Sequence, residues 1–348
     1  MGRMKSGSVD LICTSPPFAL LREKEYGNVS SSEYVDWFMR FAGEMRRLLK
    51  KGDEEGRGAG SLAIDIGGSW TQGQPTRSLY HFELLIRLCK PRSEGGGGFH
   101  LAQELYWYNP AKLPTPAQWV TIERVRVKDA VNTVWWLSPT PRPKASNRRV
   151  LKPYSKAQKK LIERGGRPAE SRPSEHDLSP SGFASDNGGA IPPNMIPGAA
   201  GPGRRPGEDV RLRPEENPSA GAGDGAPRAP VNVIAAANTS SNDYYQRRCR
   251  EEGVPRHPAR FPREVPEFLI GLCTEEGDLV VDPFAGSNMT GRVAQTMGRR
   301  WLAFENKREY LKGARFRFEP RPEGEREAPS GTGSAGKPGP PGSQKSLF

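Results

Sequence analysis

Short, uninterrupted apolar runs alternate along the chain with longer segments in which apolar residues recur every three or four positions. The runs have the length of strands and no polar alternation, which is typical of strands buried on both faces of an α/β sheet. The longer segments carry one apolar stripe each, which is typical of helices that cover such a sheet. The pattern predicts strands at 9–13, 61–66, 101–108, 131–137, 278–282 and 301–305, and helices that begin near Ser30, Tyr80, Lys156, Val265 and Met289.

The first helix is predicted to begin at Ser30, because Ser30 and Glu33 have the spacing of a capping box. Its apolar side chains fall at helical intervals and should pack on the sheet. These side chains are Tyr34, Trp37, Phe38, Phe41, Met45 and Leu48, and Trp107, Trp135 and Trp136 are expected to fill the core from later strands.

Composition and charge indicate a broad class and a kind of partner. The chain has 348 residues, and its 52 Lys and Arg against 40 Asp and Glu give a formal net charge of +12. This length allows one large or two small domains with a sizeable core, and the charge favours a polyanionic partner. The four cysteines are widely spaced without a CxxC pair, so neither a metal site nor a disulfide framework is suggested. No membrane span or secretory segment is indicated, so we expect a cytoplasmic protein.

Two segments have the composition of disordered chain. Residues 198–230 and 320–348 are dominated by Gly, Pro, Ala and charged residues. Such sequences cannot bury enough apolar surface to offset the entropy lost on ordering them. We therefore predict an unstructured insertion and an unstructured tail.

A pentapeptide ends the first predicted strand: Thr14, Ser15, Pro16, Pro17 and Phe18. Two prolines offer no N–H to a strand ladder, so a stiff loop must follow at the carboxyl end of the strand, where open α/β sheets bind ligands. The Ser15 hydroxyl and the proline carbonyls can accept hydrogen bonds from an amino group, and Phe18 can stack on the base that carries it. The loop suits methylation of an exocyclic base amine, although Ser-Pro-Pro also occurs in linkers.

A second group of features lies in the last third of the chain. The strand at 278–282 is followed by a turn of mostly small residues at 283–288 and then by a helix, and the strand at 301–305 ends in Glu305. Backbone can approach a ligand closely at such a turn. An acid about 20 residues further on can accept hydrogen bonds from two ribose hydroxyls. Together these features predict a site for a nucleotide-like cofactor.

The two groups of residues together resemble the beta-class amino-group DNA methyltransferases. That family has a catalytic loop of Ser, Asn or Asp before Pro-Pro-Phe or Pro-Pro-Tyr, with Ser typical of its cytosine-N4 branch. Its cofactor turn is usually Asp/Asn-Pro-Phe-x-Gly-Ser-Gly-Thr-Thr and follows a variable middle, as 282–287 does here. The resemblance implies an α/β fold with a circularly permuted, Rossmann-like S-adenosylmethionine-dependent methyltransferase sheet and an inserted DNA-recognition region.

The resemblance also implies an activity and its partners. The reaction would be methyl transfer from S-adenosylmethionine to N4 of a flipped cytosine in double-stranded DNA. The setting would be a restriction–modification system with a CAGCTG-like target, which allows for a cognate restriction endonuclease that shares the site.

Site residues follow from the same resemblance. Ser15 and the carbonyl of Pro16, beside Pro17, would hold the amine, and Phe18 would stack on the base. Asp65, at the end of the second predicted strand, is a candidate proton acceptor or cofactor contact. The cofactor would lie against Phe261, Pro262, Asp282, Pro283, Phe284, Ala285, Gly286, Ser287 and, at the ribose, Glu305.

The middle of the chain is expected to recognise DNA. Arg124, Arg126 and Lys128 alternate, so they would lie on one side of an extended segment. With Lys112 they are candidates to contact phosphates, and a merely solvated face is the alternative. The predicted organisation is a catalytic half at 1–108, a target-recognition region at 109–195, a disordered insertion at 196–240, a cofactor-binding half at 241–318 and a disordered tail at 319–348.

The chain departs from the family pattern in two places. Asn288 and Met289 replace the commoner Gly-Thr, and only residues 1–8 precede the first strand, where the family usually has an additional strand or loop. We expect either a misassigned start or a missing edge element. Adenine-N6 methylation and a non-catalytic DNA-binding relative stay open as alternatives. Cytosine-C5 methylation is disfavoured, because Cys13 ends a buried strand without a Pro-Cys loop.

Overall fold

The computed structural model describes residues 1–19, 27, 29–109, 112–166, 184–196 and 244–320. The segments predicted to be disordered, 196–240 and 319–348, lie outside the described residues except for Ile196, Glu319 and Pro320. Among the described residues, no helix is long and apolar enough to cross a membrane.

The described residues form nine strands and seven α-helices. The strands are β1 (Leu11–Thr14), β2 (Arg57–Ala59), β3 (Ser61–Ile66), β4 (His100–Tyr108), β5 (Val131–Ser138), β6 (Arg142–Pro143), β7 (Met195–Ile196), β8 (Leu279–Asp282) and β9 (Arg300–Ala303). The helices are α1 (Tyr34–Leu48), α2 (Tyr80–Cys89), α3 (Lys156–Glu163), α4 (Tyr244–Glu251), α5 (Glu264–Cys273), α6 (Met289–Thr296) and α7 (Arg308–Ala314).

Seven of the strands form one sheet in the order β7-β4-β5-β3-β1-β8-β9, and β2 pairs with β6 in a second, small sheet. The strands β3, β1, β8 and β9 are parallel, whereas β5 is antiparallel to both β3 and β4. The central strand β1 is buried along its whole length. Because β1 lies between β3 and β8, strands from the two ends of the chain are neighbours, and the predicted circularly permuted α/β sheet is confirmed.

A buried carboxylate joins the permuted strands at their amino ends. Asp10 Oδ2 accepts a hydrogen bond from the backbone N–H of Leu279 at 3.0 Å, and Asp10 Oδ1 pairs with Lys50 Nζ at 2.6 Å. Asp10 precedes β1 directly and Leu279 begins β8, so this contact sets the two strands side by side. A polar residue inside the apolar run at 9–13 thus has a structural partner for its charge.

Helix α1 packs on the sheet through the predicted stripe, with Tyr34, Phe38, Met45 and Leu48 fully buried. The predicted start at Ser30 is wrong, because the helix begins at Tyr34. The Ser30 hydroxyl donates to the Glu33 carboxylate at 2.7 Å rather than capping a backbone N–H. The spacing of a capping box is present, but the two side chains bond to each other and leave the backbone of the first turn uncapped.

The described residues between Ser146 and Pro193 belong to a second compact unit. Its described part contains helix α3, whose first turn is capped by the Ser155 hydroxyl, which accepts a hydrogen bond from the N–H of Gln158 at 3.2 Å. The predicted recognition region at 109–195 is therefore divided between two units, since β5 and β6 belong to the unit that holds the main sheet.

Candidate active site

The carboxyl ends of β1, β3, β8 and β9 meet at one edge of the sheet, because these four strands are parallel neighbours. The catalytic loop predicted at 15–18, Asp65, the cofactor turn predicted at 282–287 and Glu305 all lie at this edge. Ligands of open α/β sheets bind there. The structure thus brings together the two groups of residues that the sequence placed at opposite ends of the chain.

Ser15 and Asp65 form the polar centre of the site. The Ser15 hydroxyl donates to Asp65 Oδ2 at 3.0 Å, and Asp65 is only 2% exposed. Its other oxygen, Oδ1, is buried without a hydrogen-bond partner. Burial raises the pKa of Asp65 to about 7, and the Ser15 hydroxyl opposes that shift. A carboxylate with this pKa can gain and lose a proton near neutrality.

Two buried tyrosines bond to the backbone at the site, Tyr34 to the predicted catalytic loop and Tyr80 to the segment after β3. Tyr34 Oη donates to the carbonyl of Pro17 at 2.7 Å, and Tyr80 Oη donates to the carbonyl of Gly67. Their rings meet edge to face, with centroids 4.8 Å apart. The Pro17 carbonyl oxygen therefore already accepts a hydrogen bond from within the protein.

Phe18 rests directly on the backbone that follows β3. A Cβ atom added to Gly67 would lie 2.7 Å from the Phe18 ring, which is closer than real Cβ contacts. Glycine is therefore required at this position so that the ring can lie against the loop. The Phe18 ring remains half-exposed, which leaves surface for a ligand.

Asp282 connects strand β1 to the turn that is predicted to bind the cofactor. Thr14 Oγ1 and the N–H of Phe284 donate to Asp282 Oδ1 at 2.7 and 3.1 Å, and Thr290 Oγ1 donates to Oδ2 at 2.8 Å. Burial raises the pKa of Asp282 to about 6, and these hydrogen bonds oppose the shift. Asp282 was predicted to contact the cofactor, and the structure shows it fixing the turn to β1 and to helix α6.

The turn itself is closed by Glu305. The N–H of Gly286 donates to Glu305 Oε2 at 2.8 Å, and the N–H of Lys307 donates to Oε1 at 2.9 Å. Gly286 has a positive φ of 52°, and a Cβ there would lie 3.0 Å from the ring of His257. Glycine suits both the left-handed backbone and the close approach of the ring.

Aromatic rings of α1 support the same turn. The Phe284 ring lies 5.7 Å from that of Trp37 and 5.3 Å from that of Phe41, measured between centroids. Trp37 and Phe41 were predicted to be core residues of α1, and they also pack against the predicted cofactor turn. Pro283 and Ala285 lie within this turn, and Phe261 and Pro262, the other residues predicted to contact the cofactor, lie shortly before α5.

The departure from the family pattern at Asn288 has a local explanation. Asn288 has a φ of 56°, in the left-handed region where glycine is favoured and asparagine is tolerated. Its side chain caps helix α6 by accepting a hydrogen bond from the N–H of Gly291 at 3.1 Å. The substitution therefore keeps the backbone conformation and adds a cap.

Arg317 is a contact that the sequence did not predict. It is buried and donates to the carbonyl and the hydroxyl of Ser287, at 2.7 and 3.0 Å. Its guanidinium also lies over the Tyr245 ring. Arg317 is 30 residues from Ser287 and belongs to no motif, so no sequence pattern indicates this contact.

The four residues that the sequence predicts to contact DNA differ in their surroundings. Arg124, Arg126 and Lys128 are exposed, but the condition of an extended segment is not met at Arg124, whose φ is 58°. Arg126 Nε donates to the carbonyl of Pro75. The alternate spacing by itself therefore does not place Arg124 on the same side as the other two. Lys112 is half-buried, and its Nζ donates to Asn132 Oδ1 at 3.0 Å.

Comparison with known proteins identifies the family. A family model described as DNA methylase matches residues 9–316. Type II methyltransferase M.PvuII of Proteus hauseri is 43% identical over 313 residues, which cover 89% of this chain and 78% of that protein. Type II methyltransferase M2.DpnII of Streptococcus pneumoniae is 44% identical over 69 residues, which cover 20% of this chain and 26% of that protein.

Among solved structures, the PvuII DNA methyltransferase (cytosine-N4-specific) matches with a TM-score of 0.61 and 36% identity, covering 92% of this chain and 82% of that chain. The family model, which matches residues 9–316, extends over the strands that carry the two halves of the site. The chain belongs to the DNA methylase family.

Proposed function

We propose that this protein is an S-adenosylmethionine-dependent DNA methyltransferase that methylates N4 of cytosine in duplex DNA. The observation that carries the proposal is the hydrogen bond from Ser15 to the buried carboxylate of Asp65, next to a glycine-containing turn tied to the same strand through Thr14 and Asp282. The similarity to a relative described as cytosine-N4-specific supports the choice of target atom.

The residues of the turn fit the cofactor. Glu305 uses one lone pair of each oxygen for backbone N–H groups, so both oxygens can still accept from the ribose hydroxyls. Phe284 offers a ring that α1 holds in place, and the backbone at Gly286 lets a ligand approach closely. When bound, S-adenosylmethionine supplies an electrophilic methyl group on a sulfonium.

The catalytic loop would prepare the amine for that methyl group. The Ser15 hydroxyl already donates its hydrogen to Asp65, so its oxygen is free to accept an N–H of the target amine. The Pro16 carbonyl would accept the other N–H. These two acceptors favour a tetrahedral nitrogen, whose lone pair is no longer shared with the ring. Phe18 would hold the flipped base by stacking.

A proton must leave the nitrogen as the new C–N bond forms. The amine N–H bond would break toward Ser15 Oγ while the Ser15 O–H bond breaks toward Asp65 Oδ2, so that Asp65 ends protonated and Ser15 is restored. A base with a pKa of about 7 suits this transfer at neutral pH. Asp65 would therefore act as the proton acceptor.

The finer assignments concern the biological setting. By likeness to a type II methyltransferase, the protein would belong to a restriction–modification system, with CAGCTG as the target to be tested first and a cognate endonuclease as a partner. Both assignments are independent of the chemistry at Ser15.

Mass spectrometry of nucleosides tests the proposal. The full chain is incubated with S-adenosylmethionine and a duplex that contains CAGCTG, or a matched duplex with that site scrambled. We expect N4-methylcytosine, and its restriction to the first duplex would support the target. N6-methyladenine in its place, or no methylated base on any duplex, would contradict the proposed reaction.

A further inference from the structure

Lys112 lies close to the catalytic carboxylate. Its side chain is half-buried, and its Nζ donates to Asn132 Oδ1 at 3.0 Å. Asn132 is buried near the start of β5, the strand that pairs with β3 and so lies beside Asp65. The ammonium group is therefore held beside β5 by the side chain of Asn132 and does not extend into solvent as a phosphate contact would.

The surroundings of Asp65 supply little other positive charge. Among the described residues, Lys112 is the cation whose charge lowers the pKa of Asp65, against the effect of burial. Burial lowers the pKa of Lys112, and the charges of Asp129 and Asp65 oppose that shift. Arg77 is paired with Asp129. Ser15 and Asn132 also lower the pKa of Asp65, although Oδ1 has no hydrogen bond of standard geometry. Cys13 and Tyr80 are also ionisable neighbours of Asp65, whose charge raises the pKa of each.

We propose that Lys112 is a positioning residue that keeps Asp65 ionised through the Asn132 side chain, so that Asp65 can take the proton that Ser15 passes on. This inference rests on the proposed function and assigns Lys112 a role other than the phosphate contact predicted from the sequence. A buried carboxylate with one unpaired oxygen is costly in its charged form. A nearby ammonium offsets that cost without occupying the oxygen that receives the proton.

The test is the pH dependence of single-turnover methylation from pH 5.5 to 9.5. It compares the parent, Lys112→Met, Lys112→Arg and, as a matched control, Lys51→Met, which removes an exposed lysine after α1 at the opposite edge of the sheet. The parent rate should rise with pH through about 7. In Lys112→Met that rise should move about one unit higher, because one opposite charge is lost.

The expected difference in methylation rate between Lys112→Met and the parent is large at low pH and small at high pH. For a one-unit shift, Lys112→Met should be roughly eightfold slower than the parent at pH 6.5, whereas the two rates should differ by less than about twofold at pH 9. Lys112→Arg, which keeps the charge, should follow the parent, as should Lys51→Met. If Lys112→Met does not fold, Lys112→Gln replaces the charge with a polar group that can still bond to Asn132.

Two outcomes would overturn the inference. A loss of rate that is equal at every pH would make Lys112 a structural residue or a substrate contact. A changed KM for DNA and a shallower salt dependence without a shift of the pH profile would make it a phosphate contact.

A second readout separates this inference from the proposed reaction. Thermal unfolding without DNA or cofactor should show a stability deficit of Lys112→Met that grows between pH 6.5 and 8.5, since Asp65 would ionise at higher pH in the variant. That result is expected even if the methylated atom proves to be another, and a deficit independent of pH would count against the inference.

Discussion

Replacing Asp65 with Asn should inactivate the enzyme and stabilise its fold. The carboxylate of Asp65 is buried and its pKa rises from 3.8 to about 7. A raised pKa in the folded state means that the stability contributed by this group is complete below pH 3.8 and is lost as pH increases through 7. Asn keeps an oxygen that can accept from Ser15 but carries no charge to desolvate.

The magnitude follows from the pKa difference. The pKa of Asp65 increases from 3.8 to about 7, a difference of 3.2. At 1.36 kcal/mol per pKa unit, the ionised carboxylate destabilises the folded parent by about 4 kcal/mol well above pH 7. By the same relation, the stability of Asp65→Asn relative to the parent should increase by about 2 kcal/mol between pH 5.5 and pH 8. For a domain of this size that growth corresponds to roughly 4–8 °C in Tm.

Differential scanning calorimetry at several pH values measures this advantage. The matched control is Asp36→Asn, an exposed carboxylate on α1 that should show almost no pH-dependent difference from the parent. Methylation by Asp65→Asn should fall by about 100-fold or more, as expected when a proton acceptor is removed. A variant that unfolds at a lower temperature than the parent at pH 8, or whose advantage does not change with pH, would refute the reasoning.

Three further substitutions test other contacts of the site. Ser15→Ala should reduce single-turnover methylation by about 100- to 1000-fold with unchanged DNA affinity, and an unchanged rate would exclude this loop as the catalytic centre. Arg317→Met should raise the Kd for S-adenosylmethionine at least several-fold by calorimetry through loss of two hydrogen bonds, whereas exposed Arg315→Gln should not. Gly67→Ala should displace the Phe18 ring and weaken capture of the flipped base, seen as reduced fluorescence of a 2-aminopurine beside the target.

Local patterns predicted much of the fold. The predicted strand at 61–66 matches β3, and the predicted helix start at Tyr80 matches that of α2, because a glycine or a change of periodicity marks each boundary. The start of α1 was missed, since the same spacing of Ser30 and Glu33 serves a side-chain pair as well as a cap. A helix start depends on backbone geometry that spacing alone does not determine.

The positions of the long basic side chains were the least predictable from sequence. Lys112 stands in a stretch of Pro and Thr that is typical of exposed chain, yet its ammonium group points to Asn132 because β5 returns beside β3. Arg124 was expected in an extended segment, and its positive φ breaks the alternation on which that expectation rested. In each case tertiary packing decides where a long, flexible side chain lies, and the local sequence does not indicate that position.

The permuted order of the chain explains how two distant motifs act as one site. Thr14 and Ser15 are consecutive, yet Thr14 bonds to Asp282 at the end of β8 and Ser15 bonds to Asp65 at the end of β3. Because β1 lies between those strands, two adjacent residues fix the proposed cofactor turn on one side and the proposed proton acceptor on the other. A shift of β1 would therefore move both contacts together, and distances between reacting groups must be held closely for catalysis. The central position of β1 is thus a requirement of the chemistry as well as of the sheet.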